Sequence, residues 1–220
     1  MSLFADNISL WYNQFSFLKN ITLHIKDGEW VSFYGPSGSG KTTLLKTLWW
    51  LMNPLDGKLC IHNKDITSYN NYELRLLRQK TFWYIFTEGF FIDAMTVEEN
   101  IRLRGHFTKE LFPKERFEEL VLFLDIGHIL HVPVQELSTG QRERVSLVCG
   151  ILHSPKYIII DEPGSSLDEV MKQKVLLVLK KEQDNWNTIL CASHDTSIIQ
   201  YSTSIYTIHD ATIHLQSSQK

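Results

Sequence analysis

Residues 35–42 read GPSGSGKT, which matches the pattern G-x-x-x-x-G-K-[S/T]. The preceding residues 30–34 (WVSFY) predict a β-strand, and residues 41–52 predict a helix that stops before Pro54. A glycine-rich loop between a strand and a helix directs its backbone N–H groups toward one point, and the helix N-terminus adds positive potential there. The stretch therefore predicts a phosphate-binding loop in an α/β fold.

This loop predicts ATP and Mg²⁺ as cofactors. In a loop of this type the lysine, here Lys41, reaches the β- and γ-phosphates, and the hydroxyl of Thr42 ligates Mg²⁺. The residues expected to hold the phosphates are Gly35, Pro36, Ser37, Gly38, Ser39, Gly40, Lys41 and Thr42.

A second apolar run, residues 157–160 (YIII), ends in the adjacent carboxylates Asp161 and Glu162. Adjacent acids after a buried strand are costly unless they meet a cation or reach solvent. Ligands bind at the carboxyl ends of parallel strands, so we expect both acids to lie beside the phosphate loop. There, Asp161 would complete the Mg²⁺ site and Glu162 would polarise the attacking water. Taken alone, a strand ending in Asp-Glu can also be a plain turn.

The rest of the chain alternates between strand and helix patterns, which predicts an α/β fold with a mostly parallel sheet. Residues 3–11 and 21–25, with Asp27-Gly28 as a turn, predict an antiparallel strand pair at the N-terminus. From residue 88 to residue 153 the pattern becomes helical, which predicts a helical subdomain inserted between core segments 1–87 and 154–220. Further strands are predicted at residues 59–62, 81–86, 188–192 and 204–209, and helices at 72–79, 97–103, 114–124, 139–153 and 168–183.

Composition excludes several classes of function. The 220 residues carry a formal charge of −3, which provides no basic field for nucleic acid. Cys60, Cys149 and Cys191 are odd in number and widely spaced, which is typical of reduced core residues rather than of disulfides or a metal site. No window approaches the roughly 18 apolar residues that span a bilayer. Work at a membrane would therefore require another chain.

Residues 137–141 (LSTGQ) precede an apolar-periodic helix. Ser138 and Gln141 form an S-x-x-Q capping box, so a simple helix start is one interpretation. However, the phosphate loop is followed in order by this segment, by Asp161-Glu162, by residues 165–168 (SSLD) and by residues 193–195 (SHD). This series resembles the ATP-binding subunits of ABC transporters and covers nearly the whole chain.

The resemblance implies roles for individual residues. Tyr12 would stack on adenine, with a half-exposed strand aromatic as the alternative, and the phosphate loop extends to Thr43. Asp168 would link the two nucleotide sites of a dimer, and His194 would contact the γ-phosphate and hold catalytic geometry with Glu162. The signature residues, which would contact ATP held by the opposite subunit, are Ser138, Thr139, Gly140 and Gln141.

The resemblance also implies a fold and partners. It implies a P-loop NTPase core of the RecA-like type with the inserted helical subdomain. Two ATP-binding domains, as a homodimer or a heterodimer with a second ATP-binding chain, would close head to tail over two ATP molecules. Closure would drive an integral membrane permease, which places the chain in the cytoplasm as a peripheral protein on the inner face of the cell membrane.

The subfamily and the partner surface are also suggested by the resemblance. The short length and Glu73-Leu74-Arg75 are similar to the macrolide-export and lipoprotein-release group, which favours an exporter. Residues 89–95 (GFFIDAM) are unusually apolar. They would border the permease-docking groove, or half of them would belong to the core of the helical subdomain.

Three positions depart from the family pattern. Thr87 occupies the place of a glutamine that contacts Mg²⁺ and water; Glu88 would occupy it if the loop were one residue shorter. Thr139 replaces a glycine of the signature, and Gly164 replaces a common threonine. These departures predict slow or tightly regulated turnover, or pairing with a second ATP-binding chain.

Two other functions remain open. One is a soluble ABC-type ATPase of translation or DNA repair, although such proteins carry two ATP domains or a long coiled coil that 220 residues do not accommodate. The other is a regulatory nucleotide-binding module without hydrolysis. A kinase or GTPase would leave residues 137–141 and 193–195 unexplained.

Overall fold

The computed structural model describes residues 2–12, 15–85, 90–108, 112–209 and 211–218. Within these ranges the chain forms two sheets with helices packed around them. Each described helix is too short or too polar to cross a lipid bilayer. The strands are β1 (Ser2–Tyr12), β2 (Phe15–Lys26), β3 (Trp30–Tyr34), β4 (Asp56–Ile61), β5 (Lys64–Asp65), β6 (Phe82–Ile85), β7 (Tyr157–Asp161), β8 (Thr188–Ser193), β9 (Ser204–His209) and β10 (Thr212–Ser218).

The helices fall in the predicted order. Three of them, α3 to α5, occupy the central stretch that the sequence assigns to helical structure. The helices are α1 (Lys41–Leu48), α2 (Asn71–Thr81), α3 (Val97–Thr108), α4 (Lys114–Phe123), α5 (Thr139–Ile151), α6 (Glu169–Asp184) and α7 (Thr196–Ile199).

The larger sheet carries the candidate site. It has six strands in the order β10-β9-β3-β8-β7-β6, and all neighbours are parallel except β9 and β10. The smaller sheet, in the order β2-β1-β4-β5, is antiparallel. A mostly parallel sheet with an antiparallel N-terminal part is the predicted fold class.

Two local predictions are wrong. The Asp27-Gly28 turn does not join the antiparallel pair: β1 and β2 pair with each other, and the turn follows β2, where Gly28 has φ 79° and leads into the other sheet. The helix predicted over residues 41–52 ends at Leu48 because Trp50 turns the chain with φ 57°. Trp50 is buried, so packing of this side chain after the helix decides the boundary.

Side chains alternate across the parallel strands and divide the interior into two cores. Along β7, Ile158 and Ile160 face the helical side with α5 and α6, whereas Tyr157 and Ile159 face α1 and the antiparallel sheet. Strands buried on both faces are expected where helices cover a parallel sheet. The two cores therefore hold the strand ends rigidly from both sides.

Gly150 permits the close approach of α5 to β6. A Cβ at this position would lie 2.6 Å from both Ile85 Cγ1 and Trp83 Cδ1. Since α5 also carries residues 139–141 at its N-terminus, this contact helps to fix the signature segment relative to the sheet.

We expect Gly150→Val to lower the free energy of unfolding by about 1–3 kcal/mol, because the added atoms overpack a closed contact. Urea denaturation measures the change. Gly127→Ala is the matched control, since its Cβ would lie 3.5 Å from the nearest atom, and its effect should stay within about 0.5 kcal/mol. Equal losses in the two variants would contradict the packing argument.

Candidate active site

The parallel register brings the carboxyl ends of β3, β7 and β8 to one level of the sheet. Tyr34 at the end of β3 lies opposite Ser193 of β8, and Asp161 at the end of β7 lies opposite Ala192. The phosphate loop, Glu162 and His194 therefore leave the sheet side by side at its carboxyl edge. This is the edge at which ligands bind in open α/β sheets.

The phosphate loop and the end of β7 form a pocket of about 610 Å³. Gly40, the N-cap of α1, has φ 97° and no side chain, so no side-chain cap closes the helix N-terminus. Residues 138–141 are not part of the described lining. The lining residues are Ser37, Gly38, Gly40, Lys41, Thr42, Thr43, Asp161 and Glu162.

Among the described residues that line this pocket, Lys41 is the cation, and it is only 6% exposed. Its Nζ donates to the carbonyl oxygens of Gly35 at 2.8 Å and Pro36 at 3.0 Å, and lies 3.7 Å from Glu162 Oε1. A Cβ on Gly35 would lie 2.6 Å from the carbonyl oxygen of Ile208 in β9. Glycine at position 35 therefore lets the loop pack against the sheet while Lys41 reaches into the pocket.

Thr42 and Asp161 supply adjacent oxygen atoms. The Thr42 hydroxyl donates to Asp161 Oδ2 at 2.5 Å. Among the described residues no three His, Cys, Asp or Glu side chains are grouped to hold a metal on their own. The Thr42 hydroxyl beside the Asp161 carboxylate suits Mg²⁺, which uses one or two carboxylates together with substrate phosphates and water.

Burial raises the pKa of the Asp161 carboxyl, and the neighbouring charge of Glu162 adds to the increase. The hydrogen bond from Thr42 and the charges of Lys41 and Lys46 oppose it. A bound cation would stabilise the ionised form of this carboxyl.

Glu162 contacts the turn that follows β8. His194 Nδ1 lies 3.0 Å from Glu162 Oε1 and 2.9 Å from Oε2, and Ser193 Oγ donates to Oε2 at 3.1 Å. Glu162 has φ 50°, a left-handed conformation that is uncommon for a residue with a side chain and that recurs at functional sites. The acid and the histidine predicted from the sequence are therefore adjacent.

The signature segment begins α5 with the predicted capping box. Ser138 Oγ accepts from the backbone N–H of Gln141 at 3.3 Å, and the Gln141 side chain accepts from the N–H of Ser138 at 2.9 Å. Ser138 and Thr139 are exposed, so the helix tip is also available to another molecule. The two interpretations of this segment are compatible.

Glu143 belongs to none of the sequence motifs but is bound to the loop that follows β7. It is 4% exposed, and its carboxylate accepts from the backbone N–H groups of Gly164 at 2.5 Å and Ser166 at 3.2 Å. Burial raises the pKa of Glu143, while these hydrogen bonds oppose the increase. The available signal was a charged residue on the apolar face of a predicted helix.

Asp168 is the N-cap of α6 and accepts from the backbone N–H of Met171 at 2.9 Å. Its side chain is exposed, on the segment that Glu143 ties to α5. The side chain of Tyr12 and all of Thr87 and Glu88 lie outside the described residues. Their predicted roles therefore stay predictions.

Asp161→Asn separates the stability and binding roles of this carboxyl. A carboxyl whose pKa is raised on folding favours the folded state below its unfolded pKa, and this advantage is lost as pH rises through the folded pKa. We therefore expect Asp161→Asn to raise the Tm of the nucleotide-free protein near neutral pH, and to do so less in mildly acidic buffer. The further increase in Tm on adding Mg-ATP should shrink.

Differential scanning calorimetry with and without Mg-ATP measures both changes. Asp56→Asn, at an exposed position in β4, is the control and should leave both values unchanged. A lower Tm for nucleotide-free Asp161→Asn near neutral pH would contradict the raised pKa of Asp161.

Comparison with known proteins agrees with this geometry. The family model for ABC transporters matches residues 18–165. The lipoprotein-releasing system ATP-binding protein LolD of Aquifex aeolicus is 32% identical over 200 residues, covering 89% of this chain and 88% of the relative. The macrolide export ATP-binding/permease protein MacB of Campylobacter jejuni is 31% identical over 213 residues, covering 96% of this chain and 33% of the relative.

The fold of the chain is also similar to that of a solved ATP-binding cassette. A solved dimeric structure of the ATP-binding cassette MJ0796, a protein of Methanocaldococcus jannaschii, in a post-hydrolysis state with ADP and Pi superposes with a TM-score of 0.88. The two share 27% identity over 99% of this chain and 98% of the other. The chain belongs to the ABC transporter family, as an ATP-binding cassette that hydrolyses ATP.

Proposed function

We propose that two cassettes close over two ATP molecules and drive a separate membrane permease. The proposal rests on the observation that the candidate site has two separate parts, the phosphate pocket and the N-terminal tip of α5. The phosphate pocket is lined by the loop and the end of β7, whereas the exposed helix tip at Ser138 and Thr139 lies outside that lining. A helix N-terminus favours anions, so the tip suits the γ-phosphate of ATP held by another copy.

The residues of the pocket divide the chemistry among them. Lys41 exchanges its contacts with the loop carbonyls for contacts with the β- and γ-phosphates. Thr42 and Asp161 hold Mg²⁺, which when bound neutralises the charge that develops on the phosphates. Glu162 orients and activates the attacking water, and His194 holds Glu162 while contacting the γ-phosphate.

The permease-docking surface is proposed to include Phe90 and Ile92. Phe90 is 65% exposed and Ile92 is 50% exposed, whereas the adjacent Phe91 packs against the helical core. The segment is therefore partly core and partly surface. An exposed apolar pair beside a packed neighbour suits an apolar helix from a partner.

This surface is joined to the signature segment. The buried Asn100 side chain binds the backbone of Ile92 and Met95, which fixes the shape of the docking segment. Arg142 of α5 contacts Asp93 at 3.0 Å. Movement of a permease helix against residues 90–95 would therefore be transmitted to the N-terminal turn of α5.

The names of the relatives suggest the type of permease. LolD belongs to a lipoprotein-releasing system and MacB to macrolide export. We therefore propose an exporter, or a machine that extracts a substrate from the membrane, with this chain held peripherally at the membrane by its permease.

Glu162→Gln tests the dimer. We expect this variant to bind ATP but to hydrolyse it at least about a hundredfold more slowly, because the general base is lost. It should form a dimer that persists in Mg-ATP, as measured by size-exclusion chromatography with light scattering. The double variant Glu162→Gln/Thr139→Glu keeps a good first-turn helix residue but repels the partner's phosphate, and should stay monomeric. A persistent dimer of the double variant would exclude the helix tip as the partner contact.

Phe90→Asp/Ile92→Asp tests the docking surface. In the Glu162→Gln background, affinity-tagged protein incubated with membranes and ATP should recover an integral membrane permease, identified by mass spectrometry. The double aspartate variant should lose this recovery because charges enter an apolar contact, while its ATP-dependent dimer persists. Leu122→Asp is the control, since Leu122 is 82% exposed on α4. Recovery of ribosomes or DNA in place of a permease would contradict the proposed function.

A further inference from the structure

Gly164 lies in an unusual position after the Asp-Glu-Pro segment. It is buried, has φ 80°, and a Cβ there would lie 2.6 Å from Cγ and 3.2 Å from Cβ of Lys172. Both the backbone conformation and the neighbouring side chain exclude a larger residue. The missing side chain is replaced by the aliphatic part of Lys172.

Lys172 continues from this contact to the turn after β8. Its ammonium contacts Asp195 Oδ2, and the Lys172 side chain is 12% exposed. The Glu169 carboxylate is farther away, at 4.0 Å, and is 70% exposed. The hydrogen bond from Lys172 is the largest of the influences that lower the pKa of Asp195 to about 2. Asp195 is therefore the principal partner of this lysine.

Asp195 in turn fixes the residues that contact the catalytic acid. Its Oδ1 accepts from the backbone N–H of Ser197 at 2.7 Å, and its own N–H donates to Ser193 Oγ at 3.0 Å. Ser193 Oγ donates to Glu162, and His194, between these two residues, contacts Glu162 through Nδ1. A shift of Asp195 would therefore move the contacts that Ser193 and His194 make with Glu162.

We propose that Lys172 is a positioning residue for ATP hydrolysis, which acts through Asp195 to hold His194 and Ser193 against Glu162, and that Gly164 is the residue that gives Lys172 its path. Glycine at position 164 is then required by the packing of Lys172, and the absence of the family's common threonine does not impair the site. The slow turnover expected from Gly164 on sequence grounds does not follow. This inference rests on the ATPase activity and is independent of the permease.

Lys172→Met tests the role of the charge, because it keeps the aliphatic packing against Gly164 and removes the ammonium. We expect kcat for ATP to fall between about tenfold and a hundredfold, since small displacements of catalytic groups have effects of this size. The KM for ATP should stay within about twofold, because the phosphate contacts remain. Lys172→Arg should restore most of the rate.

Two controls separate positioning from folding and from dimer formation. Lys180→Met removes a half-buried lysine from the same helix, where it pairs with Asp184, and should leave kcat unchanged. Rates are measured over a range of protein concentrations, and Lys172→Met placed in the Glu162→Gln background should still form the ATP-dependent dimer. Loss of that dimer would overturn the positioning role.

Asp195→Asn provides an independent variant if Lys172→Met folds poorly. Asparagine retains the N-cap of α7 but removes the ion pair. It should lower kcat by the same factor as Lys172→Met, and the double variant should show no further loss. Gly164→Thr should lower kcat as well. Unchanged kcat in Lys172→Met and Asp195→Asn, additive losses, or faster hydrolysis by Gly164→Thr would each overturn the proposal.

Discussion

The parallel pairing of β3, β8 and β7 is the constraint on which the rest of the site depends. Its register places Tyr34 opposite Ser193 and Asp161 opposite Ala192, so three loops begin at the same level. Two cores pack on opposite faces of these strands, and a change of register by one residue would exchange the side chains between those cores. The geometry of the candidate site is thus set by the burial of strand residues that lie outside it.

Lys41 and Asp161 each have a polar partner within the pocket. A buried ammonium without compensation costs several kcal/mol, and Lys41 meets this cost with loop carbonyls and Glu162. The Thr42 hydroxyl compensates Asp161 only in part, because burial still raises the pKa of this carboxyl. In the proposed mode of nucleotide binding, Lys41 would exchange partners while already lying in the pocket, which keeps reorganisation small.

Helix α5 connects three segments that are far apart in the sequence: the signature segment, the apolar segment 90–95 and the loop that follows β7. Its tip carries the signature, Arg142 contacts Asp93 of the apolar segment, and Glu143 binds the backbone at Gly164 and Ser166. Lys172, which packs against Gly164, contacts Asp195, the residue that follows His194. Packed and hydrogen-bonded contacts therefore connect the proposed docking surface with Glu162.

The sequence by itself determined the phosphate loop, the acidic end of β7, the family and the fold class, because strand–loop–helix motifs and periodicity are local. It failed at the Asp27-Gly28 turn and at the end of α1, where burial of Trp50 overrides helix propensity. Only the tertiary structure revealed Glu143 and the path of Lys172 past Gly164. Glu143 and Lys172 each bind a partner about two dozen residues away in sequence, and local sequence patterns cannot predict such contacts.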